Sequence, residues 1–314
     1  SKRYLTFGQA SLIYYCSFYF NVFNKQMIAD YDLENPYDLV KNNEWTWDKM
    51  YQMMQIVATD KDANGIYEPG TDILGLVGHI NHSRNLILSA GETITHKNAN
   101  GLPEYTGLTE KYIDAFTTFT NYFITSPIAA ISGASPNRYA GYTNTSSIAN
   151  YLAVFNSGRA LFLTTPSNEI NVCRQSETEY GIAVIPKYEA SQEKFITPVY
   201  SATDGFVIPS SAQDPERTAL ILETLGALSY NNIVDKHIKT VLHYKAAQDP
   251  VAIEMIDLAY ASGAIDIAMA NNFGTCTNIL YNLNTYGSTN IVSTFKTIEN
   301  KLRSDIEAAI ADMD

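Results

Sequence analysis

The segment Asp60-Lys61-Asp62-Ala63-Asn64-Gly65 sets three oxygen-bearing side chains at alternate positions and follows them with a glycine that permits a sharp turn. This is the opening pattern of an EF-hand-type calcium loop, in which carboxylate and carboxamide oxygens surround a hard cation. Asp60, Asp62 and Asn64 would supply side-chain oxygens and Ile66 a backbone carbonyl, with Glu68 and Asp72 completing the shell. The twelfth position, where such loops carry a bidentate glutamate, is Thr71, so Asp72 has to reach in from one residue later. A solvated acidic turn is the competing reading. Calcium bound here would be structural, and nothing in the sequence requires a cofactor.

Catalytic constellations are missing. There is no GxSxG elbow, no GxxxxGK[ST], no HExxH and no GxGxxG after a strand. A glycosidase needs two carboxylates set across a cleft, and although Glu177, Glu179 and Asp204 exist, no spacing pairs them. Cys16, Cys173 and Cys276 are far apart, without a CxxC pair or a histidine at zinc-finger spacing, so buried free thiols are expected. They neither require nor exclude an oxidising compartment. The formal net charge is -12, from 21 Lys plus Arg against 33 Asp plus Glu, which repels nucleic acid and favours a neutral ligand.

The chain that must position any site has 314 residues, enough for two domains, and its 46% hydrophobic and 17% charged content is that of a folded protein. No stretch approaches the roughly 20 apolar residues of a membrane span, and the opening SKRYLTFGQ lacks the apolar core of a secretory signal. Leu12 to Phe23 reads as an aromatic-rich strand, and so abrupt a start suggests a chain cut from a longer one.

Thr46 then caps a helix with Trp47, Met50, Tyr51, Met54 and Val57 on one face. Helices are expected from Thr109 and from Ser147, the latter stopped by Gly158, and a helical run at Leu86 to Ala90. Arg159 to Thr165, Tyr180 to Ile185 and Gly205 to Ile208 are short strands bounded by prolines, which makes the class α/β. The last third is helical, with Asp214-Pro215 and Asp249-Pro250 as helix starts and a final helix from Ser288.

Phe23-Asn24-Lys25, Asn35-Pro36-Tyr37-Asp38-Leu39-Val40, Glu44-Trp45-Thr46-Trp47-Asp48, Phe155-Asn156-Ser157-Gly158-Arg159-Ala160-Leu161-Phe162, and Tyr180-Gly181-Ile182 through Ile185-Pro186-Lys187-Tyr188 follow one another along the chain. Gly205-Phe206-Val207-Ile208-Pro209 and Asp214-Pro215-Glu216-Arg217-Thr218 continue the series. Taken in that order, these segments resemble the extracellular solute-binding proteins of carbohydrate ABC importers (family 1 type).

The resemblance implies a two-lobe, periplasmic-binding-protein-like (type II) α/β fold with hinge strands, the N-terminal part of the first lobe being absent from this chain. Residues 13–185 would form the second lobe, 1–12 and 186–232 the hinge and the remainder of the first, and 233–314 helices that buttress both. It further implies a mono- or oligosaccharide ligand, ABC permease subunits as partners, and a place outside the cell as a surface lipoprotein or in the periplasm. Membrane contact would come only through a lipid anchor that this chain lacks. A sugar-sensing or surface carbohydrate-binding module is the alternative, and a glycoside-active enzyme ranks below both.

Sugars present apolar ring faces and a rim of hydroxyls, so their sites combine aromatic platforms with polar side chains. In the resembling family the loop corresponding to Gly78-His79-Ile80-Asn81-His82-Ser83-Arg84 lines the cleft, which nominates His79, Asn81 and Arg84. Helix capping by Asn81 or Ser83 is the competing reading. Tyr14 and Tyr15 stand at the presumed hinge entry, Thr164 and Thr165 end an inner strand before Pro166, and Tyr200 and Asp204 occupy the matching loop of the other lobe. Of these, Tyr15, Thr165 and Asp204 are the ligand-contact candidates.

Overall fold

A computed structural model describes residues 11–134, 148–174, 176, 178–200, 206–209 and 211–311. Strands β1 (Tyr19–Asn24), β2 (Leu74–His79), β3 (Ala129–Ser132), β4 (Ala160–Pro166) and β5 (Tyr180–Ala183) form one sheet in the order β3-β2-β4-β1-β5. β2 runs parallel to β3 and β4, whereas β1 runs antiparallel to β4 and β5. In that register Asn21 faces Thr164 and Phe20 faces Thr165, so alternate residues of each pair lie on opposite sides of the sheet.

Helix α1 (Trp47–Val57) begins where Thr46 accepts the Lys49 N–H, and it buries Trp47, Met50, Met53, Met54 and Val57. Its approach to β2 requires a glycine: a Cβ on Gly75 would stand 2.4 Å from Met54 Cβ. The indole N–H of Trp45 donates to the Val184 carbonyl and that of Trp47 to the Pro186 carbonyl, stitching this helix to the chain as it leaves β5. Helix α2 (Ile80–Leu86) follows β2 without a loop. Helix α3 (Glu110–Phe119), capped by Thr109, passes into a π-helical turn at Thr120–Ile124. Helix α4 (Ile148–Asn156) packs on β2, β3 and β4.

The C-terminal third holds α5 (Pro215–Ser229), α6 (Pro250–Ala261), α7 (Cys276–Thr285) and α8 (Ile291–Ala311). Asp214 and Asp249 cap α5 and α6 through the Arg217 and Ala252 N–H groups. Between them the chain winds through π-helical segments at Tyr230–Val234 and His237–Ala246. On α5 only Gly226 and Ser229 are buried, while Leu220, Ile221, Leu225 and Leu228 are 64%, 52%, 51% and 56% exposed. Among the described residues no helix is long and apolar enough to cross a membrane.

Several expectations need correcting. Leu12 to Phe23 is not one strand: Leu12–Tyr15 is a helical turn and the strand begins at Tyr19. Packing of Tyr14 on Phe18 and of Tyr15 and Phe18 on Tyr260 overrides the local β-propensity. The helix expected at Leu86 to Ala90 starts earlier, at Ile80, and tightens into a 3-10 turn over Ile87–Ala90. Residues 206–209 belong to no named strand, Gly205 lies outside the described residues, and the final helix begins at Ile291. The three cysteines are free, and burial pushes the Cys173 and Cys276 thiols up to about 12, which keeps both protonated.

Candidate functional site

His79 ends β2 and caps α2, its Nδ1 accepting the Asn81 N–H at 3.1 Å. A ring nitrogen that accepts carries no proton, so the neutral imidazole is held in the tautomer with hydrogen on Nε2. Burial lowers the pKa of His79 from its ordinary value and reinforces the neutral form. Thus His79 is a cap, the role considered above for Asn81 or Ser83, while half-buried Asn81 rides on the first turn of α2. Arg84 lies on the same helix, but its side chain is outside the described residues, as is Asp204 entirely.

Across the sheet end, the Tyr151 hydroxyl of α4 and the Thr165 hydroxyl of β4 both donate to Glu169 Oε2, the latter at 2.6 Å. Thr165 is fully buried, so it does not face an open cleft as expected; its hydroxyl is committed to Glu169, four residues on around the Pro166 turn. Burial raises the pKa of the Glu169 carboxyl, opposed by the two donated hydrogen bonds. The Tyr151 hydroxyl is shifted up by burial first and then by the neighbouring Glu169 charge. The Tyr151 ring centroid lies 6.0 Å from that of His79, so the ends of β2 and β4 bring an imidazole, a phenol, a hydroxyl and a carboxyl together. Glu169 and Tyr151 were missed because nothing in their sequence neighbourhoods marks them; the only signal was the hydroxyl-to-acid spacing of 165 and 169.

Half-buried Tyr15 sits one turn of chain before β1, its ring stacked on Tyr260 of α6 at 6.4 Å. Its carbonyl accepts from the Tyr260 hydroxyl and, at 3.1 Å, from the Ser167 hydroxyl. Ser167 in turn donates its N–H to the Phe18 carbonyl, which ties the turn after β4 to the entry of β1. Tyr200 donates its N–H to the Ser17 carbonyl, so the chain that follows β5 returns to this same corner. The aromatic corner and the His79 cluster are joined through the end of β4, which carries Thr165, and the turn after it, which carries Ser167.

The acidic loop closes on itself. Asp60 accepts the Gly65 N–H at 2.7 Å, Asp62 accepts the Asn64 N–H, and Asn64 accepts the Ile66 N–H. Ala63 and Gly65 take positive φ values of 57° and 82° to make the turn. Buried Asp72 accepts from the Lys61 and Glu68 N–H groups, and one oxygen each of Asp60, Asp62 and Asp72 lies within 4.8 Å of the others. Glu68 gives that cluster a backbone N–H, and its carboxylate is not among the three gathered oxygens. The Gly65 N–H leads the contacts that lower the pKa of Asp60, and Asp60 Oδ1 is buried without a protein partner, so the loop's chemistry fits a cation.

No family profile and no curated protein matches the sequence. Solved structures do match it. An ABC substrate-binding protein, Lmo0181 from Listeria monocytogenes in complex with cycloalternan, aligns over 94% of this chain and 70% of its own, with a TM-score of 0.55 at 14% identity. A Thermus thermophilus maltotriose binding protein bound with maltotriose aligns over the same shares, with a TM-score of 0.51 at 14% identity. The apo-form of RafE from Streptococcus pneumoniae aligns over 92% and 69%, with a TM-score of 0.51 at 13% identity. The likeness establishes the α/β fold of substrate-binding proteins for this chain.

Proposed function

We propose that this chain is the ligand-capturing part of an extracellular solute-binding protein, which takes a neutral sugar into a cleft and delivers it to the permease subunits of an ABC importer. The observation that carries this reading is fold-level likeness across 94% of the chain to binding proteins whose structures include cycloalternan and maltotriose complexes. Neighbours that bind rather than catalyse, together with the missing catalytic motifs, support a protein that is not an enzyme. Its place of work is the cell surface, as a lipoprotein, or the periplasm.

On this reading the sugar meets the strand ends of the sheet. His79 and Asn81 offer polar contacts from the start of α2, Tyr15 an aromatic surface, and Arg84 and Asp204 are kept as contacts to be tested. Residues 13–185 act as one lobe, 1–12 and 186–232 lead into the other, and 233–314 brace the two. The exposed apolar side of α5 receives the rest of that other lobe, whether the same polypeptide or another carries it. The aligned neighbours' greater length supports such a complement, this chain spanning 70% of the first two.

The test is calorimetry with a panel of neutral mono- and oligosaccharides, on this chain alone and joined to its complementary lobe. Binding is expected in the joined form and should be weaker by orders of magnitude in the chain alone, because half a cleft leaves one side of the sugar in water. Silence across the panel in the joined form overturns the sugar reading, and equal affinities overturn the two-lobed clamp. Turnover of oligosaccharides that disappears on replacing one cleft carboxylate would overturn the binding-protein reading.

The Asp60 to Asp72 loop is proposed to hold calcium for structure alone, through Asp60, Asp62 and Asp72 with Asn64 and the Ile66 carbonyl beside them. Calcium is expected to raise the melting temperature, and Asp62→Ala to remove that response while leaving sugar affinity in place. No heat and no thermal shift on titration would remove the site.

A further inference from the structure

Behind the strand ends, the sheet and its covering helices leave a partly open pocket of about 440 Å³, the solvent at its mouth included. Its floor is a row across four strands: Ile131 of β3 beside Gly78 of β2, then Thr164 of β4 beside Asn21 of β1. Residue 78 brings no side chain to that row. A Cβ there would meet only Ile131 Cδ1 at 3.4 Å and the Thr164 carbonyl at 3.5 Å, which is ordinary contact. Trp47 and Met50 of α1 and Phe119 and Phe123 of the α3 region form the roof, the π turn carrying the chain from one phenylalanine to the other.

One polar group in this apolar chamber is unaccounted for. Asn21 is fully buried in the middle of β1, and its Nδ2 donates to Met50 Sδ at 3.4 Å while its Oδ1 has no partner in the protein. A buried acceptor left unmade is costly, and a natural sheet seldom keeps an asparagine in that state. A sugar is a poor match, because its many hydroxyls would lose water against aromatic and aliphatic walls.

We propose that the chamber is a second binding site, for a small uncharged molecule with an apolar body and a single O–H or N–H donor that meets Asn21 Oδ1. A phenol- or indole-like ring has that chemistry, with the ring lying over the space at Gly78 and against the roof aromatics. His79 also lines the chamber, so the site adjoins one proposed sugar contact, but the donor it recognises meets Asn21, which the sugar reading does not use.

Calorimetry and thermal shift with phenol and with benzene test it on the unaltered protein and on two variants. Phenol is expected to bind saturably and about tenfold more tightly than benzene, the value of one hydrogen bond in an apolar site. In Asn21→Leu the two probes should become equal, and in Gly78→Val, where the side chain occupies the floor, both should be lost. The phenol-to-benzene ratio needs no variant, so it decides the matter even if Asn21→Leu fails to fold. Absence of saturable phenol binding, equal affinity for the two probes in the unaltered protein, or binding that survives Gly78→Val overturns the proposal. Crystals grown with phenol that show only an ordered water on Asn21 Oδ1 do the same.

Discussion

Helices α1 and α5 open alike, Thr46 and Asp214 each accepting a backbone N–H of the first turn, and they end in opposite surroundings. The first seals Trp47, Met50, Met54 and Val57 against the sheet, whereas the second holds four large aliphatic side chains at half exposure or more. Capping and propensity therefore settle that a helix forms, and only a partner surface settles what it buries. One helix has its partner among the described residues; α5 has the composition of a packed helix and finds no covering surface among them.

Replacing residues on the two helices should break or sharpen that contrast. Met54→Ala is expected to cost about 2–5 kcal/mol, since it empties a fully packed position. Urea denaturation measures this, and a loss below about 1 kcal/mol would mean that α1 is less tightly held than β2 and Gly75 imply.

A smaller effect belongs to Glu169, beside the same sheet. Its carboxyl binds a proton more readily folded than unfolded, so between the ordinary carboxylate value and the raised one, stability increases as the pH falls. His79 works the other way. Its lowered pKa means the unfolded chain takes the proton first, so stability is lost as the pH falls below about 6.5. Glu169→Gln should remove the first dependence and leave the second, as read from melts between pH 7 and pH 4. A pH profile unaltered by the substitution would show that Glu169 titrates as it does in the unfolded chain.

The smallest effect is expected on α5. Leu225→Ala should change the stability of this chain by no more than about 0.5 kcal/mol, the usual range for a surface position. Where the proposed complement covers α5, the same substitution should cost several times more. A large loss in the chain alone would mean that α5 is already packed.

Legibility in the sequence followed the same division. The α1, α3 and α4 helices announced themselves through caps and a 3.6-residue apolar period, and β4 and β5 through β-rich runs ended by proline or turn residues. β2 did not, because Leu74-Gly75-Leu76-Val77-Gly78-His79 is buried on both faces and carries no alternation to read. The loop of residues 60–72 was recognisable from oxygen ligands at alternate positions, while the gathering of Asp60, Asp62 and Asp72 oxygens depended on how the turn folds back. For the candidate site, His79 and Asn81 came from their place in a resembling loop. The Tyr151–Glu169 pair could not, since contact between a helix and a turn 18 residues apart is a product of packing.

The two tryptophans, the only ones in the chain, give the molecule a built-in optical gauge. Both indoles are buried, and both N–H groups are anchored to residues 184–186, the stretch by which the chain leaves the sheet toward Tyr200 and the aromatic corner. A shift of that stretch against α1 loosens an indole hydrogen bond and changes the polarity around the ring. The emission maximum should therefore report rearrangement where the chain leaves the sheet, without any attached dye, and stay silent to events confined to α5.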